Sequence, residues 1–382
     1  MLGGQHRERS GPGISAAPIT VLHVLGSLDR GGVETVSLDL CRAVPGDEVR
    51  QVFLTLGGRE GRLAPRVRAL GATVHQCRLT PRATFPVRLW LSIYRHRPDA
   101  VVSHVSLVSG LVLAVAAVAG VGVRIARLSS ESDGRADTVS RRCTRAVLRW
   151  LLRRCATSVV GTSPRSLAFA QPRAEDPRYV VVPRGIEVDR FAATNPRGRR
   201  PWPPTLGYVG RAAPEKNRGF LVHVHRSAKR LCPDTSLLVC GPGGVADLVA
   251  VDPGVLTDPS VLLVGETDEV EKVFARFDVL LLPSHREGLP GVVLEALAGG
   301  VPVVTSALPG LCDLAGQLPG LTTVPLSAGP DMWATAALRM AALPPEERAR
   351  ISAAMRCSSF DFERSVRAWR ALWSGAGSVT ET

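Results

Sequence analysis

A chain of 382 residues is too long for one ordinary domain and comfortable for two. Its 45% hydrophobic and 21% charged residues exclude a disordered chain, and a net charge of +13 leaves nucleic acid, an anionic membrane surface or an anionic small substrate as partners. The first of these lacks support, because no nucleic-acid motif and no aromatic-basic stacking stripe is present. Lysine occurs only at Lys216, Lys229 and Lys272, so the charge is arginine charge; with abundant Ala, Gly, Pro and Val it fits a GC-rich coding bias as well as a function.

Residues 1–18, "MLGGQHRERSGPGISAAP", are polar and Gly/Pro-rich without an apolar centre, and read as a flexible N-terminal tail rather than a signal peptide. "ITVLHVLG" then predicts a strand, followed by a helix from about Gly32 to Ala43. The pattern continues with "VRQVFLTLG", a helix near 61–70, "ATVHQCRL", a helix near 86–96, "DAVVSHV", an apolar stretch at 105–123, "VRIARLS", a basic helix at 141–156 and "ATSVVGTS". The apolar stretch carries no charge and is nearly long enough to cross a bilayer. Its glycines and serines, and its place between two strands, make it a buried crossover helix instead. Residues 193–204, "ATNPRGRRPWPP", mix Pro, Gly and charge as a domain linker does. The alternation restarts after them with "TLGYVG", "TSLLVCG", "SVLLVG", "DVLLLPS" and "VPVVTS", each followed by a helical stretch or preceded by one. The expected organisation is a tail at 1–18, a first domain at 19–195, a second at 205–355, and a closing helix with tail at 356–382 containing the amphipathic "FDFERSVRAWRALWSG". Repeated β-α alternation predicts an α/β protein of two doubly wound parallel-sheet (Rossmann-like) domains. The eight cysteines show neither CxxC nor metal-ligand spacing, and fit free thiols in a reducing cytosol.

Open α/β sheets bind ligands in loops at the carboxyl ends of their strands. "HREGLPGVVLEALAGGVPVV", residues 285–304, follows such a strand. Glu287 lies in the loop, and a helix is expected to start within Leu289 to Val292 with Pro290 in its first turn. The free N–H groups there make an anion site, which Gly288 and Gly291 let a phosphate approach closely. Glu295, about a turn or more into the helix, can accept hydrogen bonds from two neighbouring hydroxyls such as a ribose diol. The spacing fits phosphate flanked by two hydroxylated rings, although a surface glutamate followed by an ordinary helical one has the same form. In "GYVGRAAPEKNRGFLVHV", residues 207–224, Arg211 follows a strand and Lys216 stands at the start of the next helix. Cations at a helix N-terminus oppose its dipole unless they grip an anion held there; solvated loop charges are the plainer alternative. "LGSLDRGGVETVSLDL", residues 25–40, runs a strand into Gly31-Gly32 and a helix, a backbone-approach site that is neither a dinucleotide fingerprint nor a Walker loop. "CGPGGVADL", residues 240–248, is a Gly-rich turn of structural kind.

Together, "GSLDRGGVE", "VGRAAPEK" and "EGLPGVVLEALAGGVPVV" resemble the family 4 glycosyltransferases of the GT-B fold, of the bacterial polysaccharide and natural-product type, over residues 20–373. The resemblance implies two domains facing a cleft and retaining transfer of a sugar from a nucleotide diphosphate sugar, a UDP-sugar by preference, without cofactor or metal. It implies Arg211 and Lys216 on the diphosphate and Glu295 on the ribose. Glu287, with the backbone at Gly288, Leu289, Pro290 and Gly291, is implied beside the transferred sugar and phosphates, and Gly32 across the cleft. Arg211, Lys216 and Glu287 are the catalytic candidates. The leaving nucleotide diphosphate gains negative charge as its bond breaks, and fixed cations and N–H dipoles stabilise that charge most in the transition state.

The chain departs from the family pattern in its first half. Where relatives often carry a histidine, after the strand in "VRIARLSSESDG", stands Arg127 or Ser129. His104 is then the remaining histidine candidate near the acceptor, and Glu131 and Asp133 are candidates for its hydroxyls. In "VVVPRGIEVDRF" the usual Asn is Arg184, followed by Glu187. The basic helix at 141–156 intersperses Arg141, Arg142, Arg145, Arg149, Arg153 and Arg154 with Leu and Trp. It suits peripheral contact with an anionic membrane at its inner, cytoplasmic face, or a surface helix whose arginines snorkel. Two other functions stay open: a GT-B-fold sugar-nucleotide epimerase, and a non-catalytic nucleotide-sugar-binding protein.

Overall fold

The computed structural model describes residues 18–29, 32–129, 138–171, 176–192 and 203–376. Its first half holds seven parallel strands, β1 (Ile19–Leu25), β2 (Val49–Thr55), β3 (Thr73–Gln76), β4 (Ala100–Ser103), β5 (Val123–Leu128), β6 (Ser158–Gly161) and β7 (Tyr179–Val181), in the order β3-β2-β1-β4-β5-β6-β7. The second half holds six, β8 (Thr205–Val209), β9 (Ser236–Cys240), β10 (Val261–Gly265), β11 (Val279–Leu282), β12 (Val303–Ser306) and β13 (Leu321–Val324), in the order β10-β9-β8-β11-β12-β13. Every strand pair within the two sheets is parallel. The strand order reverses between β1 and β4 in one sheet and between β8 and β11 in the other. Loops on either side of such a reversal splay apart and leave a crevice.

Helices cover both faces of each sheet, so the central strands are continuously apolar. On one face of the first sheet Leu22, Val24, Val101 and Leu128 pack with Phe85, Leu89, Leu113 and Leu152 from three helices. On the other, Val21, Val102 and Ile125 pack under Trp369 and Trp373. The apolar stretch forms a 10-residue helix, Ser109–Val118, between β4 and β5. Among the described residues no helix is long and apolar enough to cross a membrane.

The two halves exchange elements. The Val188–Ala192 helix ends the first half, yet Val188 and Phe191 belong to the core of the second. The amphipathic closing helix is Phe362–Trp373, and it returns to the first half to bury Phe362, Val366, Trp369, Leu372 and Trp373. The sequence pattern leaves β7 and β13 unmarked. Both are short edge strands of three and four residues, too brief for a periodic signal. The expected tail, most of the expected linker (residues 193–202) and residues 377–382 lie outside the described residues.

Candidate active site

The loops after β8 and β11 are joined side by side at the switch point of the second sheet. His285 N donates to the Glu215 carbonyl at 2.8 Å, and Asn217 Nδ2 donates to the Pro283 carbonyl at 3.1 Å. Asn217 adopts a left-handed backbone, φ 51°, which ends the 3-10 turn Pro214–Lys216. Lys216 therefore belongs to this turn and not to the start of the following helix, which begins at Gly219. The turn aims its ammonium at the neighbouring loop: Lys216 Nζ donates to Glu287 Oε1 at 2.7 Å, and Ser284 Oγ donates to the same oxygen at 2.7 Å. Glu287 is nearly buried and Lys216 largely so, whereas Arg211 is exposed and donates to Glu215 Oε1 at 2.6 Å.

The helix after Glu287 spans Gly291–Ala298 and begins within the expected Leu289–Val292. Pro290 is its extended N-cap, φ −75° and ψ 112°, not a residue of its first turn. The Pro290 carbonyl takes the Val293 N–H at 3.1 Å, leaving the N–H groups of Gly291 and Val292 at the helix mouth. Glu295 sits one turn further in and already has a partner. Arg184 Nη2 donates to Glu295 Oε1 at 2.7 Å, with side chains 12% and 15% exposed. The Arg184 guanidinium lies so close over Gly291 that a Cβ there would overlap Nη1. A side chain at 291 would displace the guanidinium from this position.

From the first domain, Gly32 opens the Gly32–Ala43 helix with open space beside its Cα. The strand β5 ends against the donor loop, where a Cβ on Gly288 would lie 3.1 Å from the Ser129 carbonyl. Arg127 points the other way. It is buried at 3% exposure, stacks 5.8 Å from the Trp369 ring, and leaves Nε and Nη1 without hydrogen-bond partners. Burial, and next the Arg184 charge, hold its pKa down to about 10. Arg127, an acceptor-side candidate of the sequence, is thus a buried side chain whose charge acts on Arg184. His104 is bonded to His23 across 3.1 Å, its Nε2 against His23 Nδ1, with its own Nδ1 shut from solvent and unpartnered. Desolvation, then the charges of His23 and Arg127, hold His104 well below the ordinary histidine value; desolvation, then Arg127, lower His23 to about 3. Both rings are neutral at neutral pH. Glu131 and Asp133 lie outside the described residues.

The Gly-rich turn after β9 is structural. Gly241, φ 145°, lies against the Gly210 carbonyl where no Cβ fits. Nearby, the buried Arg218 braces the turn through Asp247 and the Gly244 carbonyl. Three site groups escaped the sequence reading: Ser284, His23 and the role of Arg184. Only Arg184 left a signal, as an arginine in place of asparagine. Among the described residues, no group of three or more His, Cys, Asp or Glu side chains could hold a metal ion.

Two parallel α/β domains that meet through Ser129 and Gly288 and through Arg184 and Glu295, with a lysine-carboxylate pair beside a helix mouth, have the architecture of the GT-B fold. Residues 31–185 match the model of the glycosyl transferase 4-like domain, and residues 203–342 match that of glycosyl transferases group 1. The chain belongs to this family of glycosyltransferases. It is 30% identical over 339 residues to the 2-deoxystreptamine N-acetyl-D-glucosaminyltransferase of Streptomyces fradiae, covering 77% of this chain and 79% of that one. It is 27% identical over 366 residues to EpsF of Bacillus subtilis (strain 168), described as a glycosyltransferase, covering 91% and 94%. HepE of Anabaena, solved with UDP and glucose, shares the fold at a TM-score of 0.70 and 17% identity, covering 93% of this chain and 99% of that one.

Proposed function

We propose that this glycosyltransferase is a retaining enzyme that moves a hexosyl group from a UDP-sugar to a hydroxyl of a glycan, lipid-linked or small-molecule acceptor. One observation carries the reading: Lys216 and Glu287, 71 residues apart in sequence, are bonded to each other beside the mouth of the Gly291–Ala298 helix. An ammonium and free N–H groups at one spot suit a diphosphate, and a carboxylate between them suits a sugar hydroxyl. Arg211, exposed at the rim, adds a cation that can close on the outer phosphate.

In this reading the anomeric C–O bond to the diphosphate breaks as the acceptor oxygen bonds to the same face of the sugar. The acceptor's proton passes to the departing phosphate oxygen. Lys216, Arg211 and the N–H groups of Gly291 and Val292 stabilise the charge that grows on the diphosphate, so the chain's own groups serve the leaving group without a metal. The acceptor enters from the first domain, past Gly32. UDP with glucose, bound by HepE, supports uridine as the base.

The second proposal concerns place. The Val139–Cys155 helix exposes Val139, Val147 and Trp150 among its arginines and has no acidic residue. That composition favours peripheral contact with an anionic membrane from the cytoplasmic side.

The test is a thermal-shift panel of nucleotide sugars followed by transfer with the stabilising donor, the product's anomeric configuration being read by NMR. Stabilisation by a UDP-sugar and a product of unchanged configuration are expected; an inverted product overturns the retaining assignment. Interconversion of the donor sugar without an acceptor would identify an epimerase, and donor binding without hydrolysis or transfer a binding protein.

A further inference from the structure

Arg184 follows β7 at the end of the first domain, and its guanidinium crosses to the second. Nη2 donates to Glu295 Oε1 at 2.7 Å, the planar group lies against Gly291, and Nε is buried without a partner. Three positive features converge there: Arg184, the buried Arg127 whose charge acts on it, and the N-terminus of the Gly291–Ala298 helix. The carboxylate hydrogen-bonded to Arg184 is Glu295, through one oxygen, while Glu34 acts on Arg127 by its charge alone. Asp39, whose charge also interacts with Arg184, is a second carboxylate nearby, its pKa pushed up to about 6 by burial. A guanidinium held over the positive end of a helix, with an orphaned N–H, is arranged for a further anion. While Arg184 holds Oε1 of Glu295, that oxygen has a single lone pair left to offer a diol.

We infer that Arg184 is a further phosphate ligand of the donor site, exchanging its Glu295 partner for the donor's diphosphate and so releasing that carboxylate to the ribose hydroxyls. The inference rests on the nucleotide-sugar reading above. No covalent bond changes; one ion pair replaces another. A planar fork suits a phosphate better than the asparagine of the family pattern would. Because Arg184 and Glu295 sit in different domains, the exchange couples donor binding to the way the two domains meet.

Titration calorimetry with UDP, uridine and inorganic pyrophosphate on the wild type, Arg184→Asn, Arg184→Lys and Glu295→Gln tests this. Arg184→Asn is expected to weaken UDP and pyrophosphate at least about tenfold and leave uridine unchanged or tighter. Arg184→Lys should recover most of the pyrophosphate affinity. Glu295→Gln should weaken uridine while keeping pyrophosphate. Parallel weakening of UDP and uridine by Arg184→Asn would make Arg184 a prop for Glu295 and overturn the inference. So would unchanged affinities, or equal pyrophosphate losses in Arg184→Asn and Glu295→Gln. If the wild type binds pyrophosphate but no nucleotide, the donor reading fails, and the dependence of pyrophosphate binding on Arg184 still decides the inference.

Discussion

Lys216 Nζ and Glu287 Oε1 lie 2.7 Å apart, the lysine side chain 19% exposed and the glutamate 8%. Each is held by a different loop, and the loops are themselves joined through Glu215 and His285. The pair therefore reports both the shape of the site and its charge. Removing one partner of a largely buried pair leaves the other desolvated and uncompensated, a larger effect than the net worth of the pair.

Lys216→Ala should lower stability by about 1–3 kcal/mol, moderated because Ser284 still donates to Glu287. It should also reduce turnover by about 100-fold or more, the scale of losing one preorganised group at a developing charge. Urea denaturation and steady-state kinetics measure the two effects. An active, fully stable variant would remove Lys216 from the site.

Arg211→Ala provides the contrast. Its side chain is 63% exposed and its ion pair to Glu215 is at the surface, so stability should change by no more than about 0.5 kcal/mol. Turnover should nevertheless fall more than donor affinity, if Arg211 meets charge that develops late. Equal losses in both would mean that it only binds.

Gly241→Ala tests the structural reading of the turn after β9. A Cβ there would overlap the Gly210 carbonyl, and the backbone stands at φ 145°, so the loop carrying Arg211 must shift. A loss of about 2 kcal/mol or more is expected in thermal or chemical unfolding. A neutral substitution would show that the turn is looser than its packing implies.

Acid should destabilise the first domain through His23. The folded ring resists protonation down to about pH 3, whereas the unfolded one titrates near 6.5, so between these values the unfolded chain binds more protons. Stability is complete above pH 6.5 and falls as pH falls, by about 2 kcal/mol at pH 5 for this one group. His23→Gln should flatten that slope in melting curves taken from pH 7 to 5. Asp39 works in the opposite direction. Burial pushes its pKa from 3.8 up to about 6, so the folded state holds the extra proton and stability falls as pH rises through that window. Asp39→Asn should stabilise the protein at pH 7 by on the order of 1–3 kcal/mol and have little effect near pH 4.

If the Val139–Cys155 helix rests on a membrane, the protein should float with vesicles containing anionic lipid and not with neutral ones. Replacing Arg142 and Arg145 by Glu should abolish flotation without changing transfer to a soluble acceptor. Equal flotation with both lipid types would remove the electrostatic case.

The sequence by itself determined the alternation of strands and helices and the existence of two parallel sheets, and it marked the loops that hold the candidate site. These follow from local composition: runs of Val, Leu and Ile buried on two faces, and glycines where a strand gives way to a helix. It also supplied the motifs in which Arg211, Lys216, Glu287 and Glu295 stand. Only the tertiary structure decided who meets whom. Lys216 with Glu287 spans 71 residues and Arg184 with Glu295 spans 111, and no periodicity encodes such distances. The burial of Arg127 under Trp369 needed the last helix to return to the first sheet. A side chain's local sequence sets its element, but its charge partner and its solvent are set by whichever distant segment packs against it.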